Sequence, residues 1–236
     1  MNITTVFSPA LYPYCKRSEQ YICVVVDILR ATTTMCTAVE FGAELIPVSS
    51  VEEAREYKRK GFLVAGERIE RTLDFADFGN SALLFRTDEI KGKTIVHTTT
   101  NGTRAIALAQ DYKPKQTVIG AFSNINALKD FLVKAGCDVE ILLSGWQNTF
   151  CLEDTLFAGA LSTMLFNEGF TSKDDSTFAA VDLWNAAKED ILQYLEKASH
   201  IHRLRKAHFD DVFQYTFTLN TCRCVPVLRN GKIIKA

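Results

Sequence analysis

Short β-branched and aliphatic runs alternate with helix-like segments along this chain, and no other feature of the sequence constrains its fold as strongly. The run YICVVVD at residues 21–27 lacks any polar alternation, the pattern of a strand buried on both faces. A helix is predicted over 31–41, closed by Gly42, and LIPV at 45–48 is the next strand. Ser50 with Glu53 three positions on has the form of a capping box, opening a helix that Gly61 ends. Further strands are predicted at 62–66, 94–98, 117–122 and 139–145, with helices near 103–111, 124–135 and 153–167. In the last of these Leu156, Phe157, Ala160, Leu161, Met164 and Leu165 form one apolar stripe. A single longer helix is predicted over 177–206, and the tail from Asp211, with TFTL and CVPVL, returns to strands as antiparallel edges. Such alternation implies a three-layer α/β/α fold with a mostly parallel or mixed sheet.

At 236 residues, 47% of them hydrophobic, the chain buries a full core, as one α/β domain over 1–236 or two closely packed lobes. Its net charge of -1 argues against a nucleic-acid binder, which carries a basic surplus. The densest basic stretch, HIHRLRKAH at 200–208, is read as a solvated helix face. No apolar run approaches the ~18 to 20 residues of a membrane span, and the N-terminus lacks a secretory pattern, so a cytoplasmic protein is expected. A homodimer is a common assembly for an α/β enzyme of this size. The seven cysteines include no CxxC pair and read as reduced, structural thiols. His97 lies within a strand, a core position. His200 and His202, two apart on a helix, point to different sides, which argues against a zinc pair.

In α/β folds ligands bind beyond the carboxyl ends of the strands. The polar clusters of this chain follow strands: Asp27 and Arg30 after the first, Glu67 and Arg68 after FLVAG, a Thr-Asn-Gly segment after TIVHT, and Glu153-Asp154 after VEILLSG. They are therefore expected to meet along one edge of the sheet, with Asp27, Glu67, Asn101 and Asp154 around one cleft. The segment Thr98 to Arg104 joins a strand to a helix. Its hydroxyls, its glycine and the free amides of a helix start form a candidate anion cradle, with Arg104 as a planar donor; an Asn-Gly turn with threonine caps is the structural alternative. After Asp27, Arg30 with Thr32, Thr33 and Thr34 offers phosphate ligands, against a local Asp27–Arg30 ion pair with Thr32 as a cap. Asp27, Glu67 and Asp154 give a hard oxygen set suited to Mg²⁺, and Glu153 is the weakest carboxylate candidate. No Gly-x-x-x-x-Gly-Lys-Ser/Thr loop is present, which excludes a P-loop enzyme.

Taken in order, VVVDILRATTT, GER, FGNS, TTTNGTRA and FCLEDTLFAGA are similar to the 2-phosphosulfolactate phosphatase family, from about residue 22 to 165, with a weaker echo at 209–233. The resemblance implies an α/β/α fold and Mg²⁺-dependent hydrolysis of 2-phosphosulfolactate to sulfolactate and phosphate, a step in coenzyme M synthesis. It singles out Asp27, Arg30, Thr32 to Thr34, Glu67, Arg68, Asn80, Ser81, Thr99, Thr100, Asn101, Gly102, Thr103, Arg104, Glu153 and Asp154. On this reading Asp27, Arg30, Glu67 and Asp154 are catalytic, and Thr32, Thr33, Arg68, Asn80, Ser81 and Thr99 to Arg104 bind a small anionic phosphorylated substrate. The chain departs from the family pattern at Ile69 and Glu70, where a glycine pair is usual, and at Ala82, where proline is; both departures are placed in the loop over the non-phosphate end of the substrate. A haloacid-dehalogenase-type phosphatase is an alternative that lacks its second aspartate, because Leu29 stands there. A non-catalytic sensor of phosphorylated metabolites is another.

Overall fold

The structure, a computed structural model, describes residues 1–69 and 71–236, so Glu70 lies outside the described residues. The first half runs β1 (Ile3–Val6), β2 (Tyr21–Val26), α1 (Ala31–Glu40), β3 (Glu44–Pro47), α2 (Val51–Arg59), β4 (Leu63–Arg68), β5 (Arg71–Thr72) and β6 (Thr94–Thr98). It continues with α3 (Gly102–Asp111), β7 (Gln116–Gly120), α4 (Ile125–Ala135), β8 (Asp138–Leu143) and α5 (Leu152–Asn167). Then come α6 (Asp175–Ala187), α7 (Ile191–Leu195), α8 (Ser199–Lys206), α9 (Phe213–Thr216) and the hairpin β9 (Pro226–Arg229) and β10 (Lys232–Lys235). The alternation predicted three-layer α/β packing, and that is the architecture. β2 is buried at all six positions, as a strand covered on both faces must be. The Ser50 side chain caps α2 by accepting from the Glu53 N–H at 3.0 Å.

The sheet order is β1-β8-β2-β7-β9-β10-β3-β6-β4-β5. β1, β8, β2 and β7 are mutually parallel, as are β3, β6 and β4. Between these groups sits the C-terminal hairpin, antiparallel to β7 on one side and to β3 on the other. The tail strands expected at the edges therefore close the centre of the sheet; TFTL is not a strand but the last residue of the short helix α9 and the turn after it. Capping and aliphatic content mark a hairpin, but which strands it joins is a long-range choice that local sequence does not carry. The predicted 177–206 helix is likewise three pieces, restarted at Asp190, whose side chain caps α7 by accepting from the Gln193 N–H at 3.0 Å.

Three antiparallel steps separate the two parallel groups, so they run in opposite senses, and the expectation of one common carboxyl edge does not hold. Adjacent strands rotate by roughly 20 to 25°, and the five steps from β2 to β6 turn the strand direction by ~100°. The sheet curls in doing so. α1 lies in its concavity, touching β3, β7, β9 and β10, and every residue from Ala31 to Val39 is buried. This wrapping carries the end of β6 to the end of β2, although the two strands are nominally opposed. A main core extends over β2, β7, β8, α1 and α5, and a smaller cluster of Val48, Ala54, Val64 and Val96 sits beneath α2.

Candidate active site

Asp27 follows β2, and its neighbours fix the turn before α1. Its backbone N–H donates to Thr32 Oγ1 at 3.0 Å, the Ala31 N–H donates to its Oδ1 at 3.3 Å, and Thr33 Oγ1 donates to the Ile28 carbonyl at 2.9 Å. Thr32 and Thr33 are therefore spent on bracing the loop; fully buried, neither lines the cavity described below. Asp154, in the first turn of α5, accepts from the N–H of Ile28 at 2.8 Å and of Gly145 at 3.2 Å. It ties the end of β2 to the end of β8 and lies behind Asp27 rather than on the cavity wall.

The second group comes from β4 and β6. Glu67 Oε1 accepts from the Thr100 N–H at 2.8 Å and Oε2 from the Thr100 hydroxyl at 3.3 Å. The same hydroxyl accepts from the Ile69 N–H at 3.1 Å. Thr99 and Thr103 cap each other: each backbone N–H donates to the other's Oγ1 at 3.2 Å. The three amides of Thr99, Thr100 and Thr103 are thus already paired inside the loop, so the segment is more rigid, and offers fewer open donors, than a simple cradle. Asn101 Oδ1 accepts from the Gln147 N–H at 3.2 Å, linking the α3 start to the turn after β8. Asn80 Oδ1 accepts from buried His97 Nε2 at 3.2 Å; burial first, and then Arg68, lower the His97 pKa to about 4, which keeps the ring neutral.

One small cavity, about 20 Å³, collects these elements. Its walls are Asp27, Leu29, Arg30, Glu67, Asn80, Asn101, Trp146, His200 and Leu204. That is room for about one water. Asp27 is buried, and burial, offset in part by His200, raises its carboxyl to about 6. Gly102 is what lets the two halves meet: a Cβ there would stand 2.8 Å from Asp27 Oδ2 and 2.6 Å from the Ala31 Cβ. Arg30 is buried with its guanidinium 4.2 Å from the Phe209 ring centroid. Beyond Phe209 opens a wider basin of about 720 Å³ lined by Arg68, Arg71, Arg203 and Lys206 among others.

Of the residues singled out in sequence, Asp27, Arg30, Glu67, Asn80 and Asn101 reach the inner cavity and Arg68 the outer basin. Ser81 lies outside both, and Arg104 is exposed on α3 near Arg68. Ala82 is buried at the start of a 3-10 turn packed on α1, a first-turn position that proline also suits, and it does not stand over the cavity. Ile69 has a positive φ of 50°, a conformation that glycine adopts without strain and a β-branched residue does not.

His200 and Trp146 were not found in sequence. His200 Nδ1 lies 2.5 Å from Glu153 Oε1, with both groups buried. Although burial alone would raise Glu153, His200 holds its carboxyl below the usual range. Burial, then Glu153 and Asp27, push Asp154 well up. Trp146 contacts His200 with the rings tilted at 49° and centroids 5.5 Å apart, and the Arg203 guanidinium lies 4.1 Å from its centroid. The basic stretch at 200–208 is accordingly not only a solvated face: its His200, Ile201 and Leu204 are buried and α8 closes the site. His200 stands 47 residues from its partner, a separation that leaves no local signal.

A model of the 2-phosphosulpholactate phosphatase family matches residues 6–231, nearly the whole chain. The chain belongs to that family. A Thermotoga maritima protein named "Probable 2-phosphosulfolactate phosphatase" is 34% identical over 221 residues, 93% of this chain and 94% of that protein. A Caldanaerobacter subterraneus subsp. tengcongensis protein of the same name is 34% identical over 213 residues, 88% of each chain. A Synechocystis sp. protein, also so named, is 34% identical over 234 residues, covering 96% and 95%. Membership in this phosphatase family makes the chain a phosphoric monoester hydrolase and favours it over both a non-catalytic sensor and a haloacid-dehalogenase-type enzyme. Among the described residues no helix is long and apolar enough to cross a membrane.

Proposed function

We propose that this chain hydrolyses 2-phosphosulfolactate to sulfolactate and phosphate with Mg²⁺ bound at Asp27 and Glu67. The observation that carries the reading is the meeting of two buried carboxylates, Asp27 and Glu67, with the buried Arg30 on one cavity of a chain that matches the phosphatase family almost end to end. The donor set fits the ion: carboxylates are hard oxygen ligands, and two buried acids in one small space favour a dication. Asp154 fits a positioning role better than a ligand role, because it joins the ends of β2 and β8 and does not line the cavity that Asp27 and Glu67 share. When bound, the metal supplies charge neutralisation at the phosphoryl oxygens.

The chain's own residues do the rest. Arg30, held by Phe209, presents a guanidinium to the phosphate. Asn101 and Asn80 orient it. Arg68 lines the outer basin, its guanidinium braced by the Glu67 carbonyl at 2.6 Å and the Thr98 hydroxyl at 2.7 Å, and takes the sulfonate or carboxylate there, with exposed Arg104 adding to the local field. Leu204 and Trp146 exclude water once the substrate is seated. Since the inner cavity holds about one water, a three-carbon substrate with three anionic groups needs the cavity wall, which includes His200 and Leu204 of α8, to open before it can enter.

Turnover of 2-phosphosulfolactate and its unsulfonated counterpart, with Mg²⁺ and after exhaustive chelation, tests the reading. Activity that survives chelation removes the metal from it. Arg68→Ala is expected to weaken the sulfonated substrate selectively; equal weakening of both substrates would deny Arg68 that role.

A further inference from the structure

Cys151, Glu153 and His200 bring one sulfur, one carboxylate and one imidazole together in the protein interior. Their ligand atoms all lie within 4.8 Å of one another. Cys151 and Glu153 stand at the start of α5 and His200 in the first turn of α8, so two elements remote in sequence converge. All three are buried, and His200 also lines the cavity that holds Asp27 and Glu67.

We infer that these three residues form a binding site for a borderline divalent transition ion of the Zn²⁺ class, separate from the hard-oxygen pair Asp27 and Glu67. The chemistry of the donors selects the ion. Mg²⁺ takes oxygens and sheds water reluctantly, so it does not choose a thiolate, whereas Zn²⁺ accepts sulfur, nitrogen and oxygen together. Three protein ligands leave a tetrahedral ion one open position. That position is available to water or a substrate oxygen on the side where His200 meets the cavity.

The geometry is that of a closed, metal-free pair. His200 Nδ1 and Glu153 Oε1 are 2.5 Å apart. Two such donors on one tetrahedral ion, each at about 2.0 to 2.1 Å, stand roughly 3.3 Å apart. An ion therefore replaces this hydrogen bond by parting the two groups by less than about 1 Å, within reach of side-chain torsions. The Cys151 thiol lies against Glu153 and enters as a thiolate, its proton leaving to solvent as the S–metal bond forms.

Co²⁺, a spectroscopic stand-in for Zn²⁺, tests the site on the full chain in excess Mg²⁺. The expected result is a near-ultraviolet thiolate-to-cobalt charge-transfer band that saturates at one equivalent and is erased by Zn²⁺. Cys151→Ser is expected to abolish the band, with Cys151→Ala as the alternative should the serine variant not fold. His200→Gln and Glu153→Gln are expected to weaken Zn²⁺ binding by about a hundredfold, measured by competition with a chromophoric chelator. No band in the wild-type protein, or a band unchanged in both Cys151 variants, would overturn the inference and leave a structural His–Glu pair. The readout is absorbance, not turnover, so failure of the phosphatase reading would not mimic failure of this one.

Discussion

Replacing Gly102 by alanine probes the contact on which the site depends. The new methyl carbon would meet the Ala31 Cβ at 2.6 Å and Asp27 Oδ2 at 2.8 Å, whereas carbon atoms in contact settle at about 3.5 to 4.0 Å. One wall has to retreat by about 1 Å. Neither neighbour moves freely: Ala31 begins the buried helix α1, and Asp27 follows β2 in a loop braced by Thr32 and Thr33, its carboxylate held by the Ala31 N–H. Overpacking of this kind costs about 1 to 3 kcal/mol. The lost glycine returns about 0.5 to 1 kcal/mol of chain entropy in the helix, leaving a net loss of up to about 2.5 kcal/mol. The effect on chemistry is expected to exceed the effect on stability, because a displacement near 1 Å of a reacting group costs about a hundredfold in rate. Urea unfolding monitored by circular dichroism gives the first quantity, and kcat/KM for a phosphate monoester with Mg²⁺ gives the second. A Gly102→Ala protein with wild-type stability and wild-type kcat/KM would refute the close approach of α3 to Asp27.

Ile69→Gly should relieve about 1 to 2 kcal/mol of left-handed strain against about 0.5 to 1 kcal/mol of added chain entropy, raising Tm by ~2 °C; the side chain, 65% exposed, loses little burial, and a lower Tm would contradict the strain. His97 is neutral in the fold down to about pH 4 but titrates near 6.5 when unfolded, so the folded state binds fewer protons between these values. Stability present above pH 6.5 is therefore lost as pH falls through that window, by about 3 kcal/mol, and the urea midpoint difference between wild type and His97→Gln should close accordingly; a pH-independent difference would be incompatible. Because burial raises Asp27 to about 6 and a ligand carboxylate must be ionised, apparent Mg²⁺ affinity should fall as pH drops through 6, and isothermal titration at pH 7.5 and 5.5 checks it.

Most strands and helices and the phosphate-related motifs of this protein are local properties, and the sequence alone determined them; the breaks that divide 177–206 into three helices and the turn at TFTL are exceptions. A fully apolar YICVVVD segment cannot sit at a wet edge, and Ser50 accepts from the Glu53 N–H wherever α2 is placed. That Asp27, Arg30, Glu67 and Asn101 would stand at or just beyond strand ends was legible for the same reason, since each belongs to a short motif at the close of an apolar run. What the sequence could not state is which strand ends meet. That was decided by the C-terminal hairpin, which enters between β7 and β3, reverses the sense of one half of the sheet, and curls it about α1 until Gly102 rests on Asp27. His200 and Trp146 reach the cavity through the same long-range folding, as does the pairing of Glu153 with a histidine 47 residues away. Pairing across such distances is set by the summed burial of whole elements, and no short window of sequence contains it.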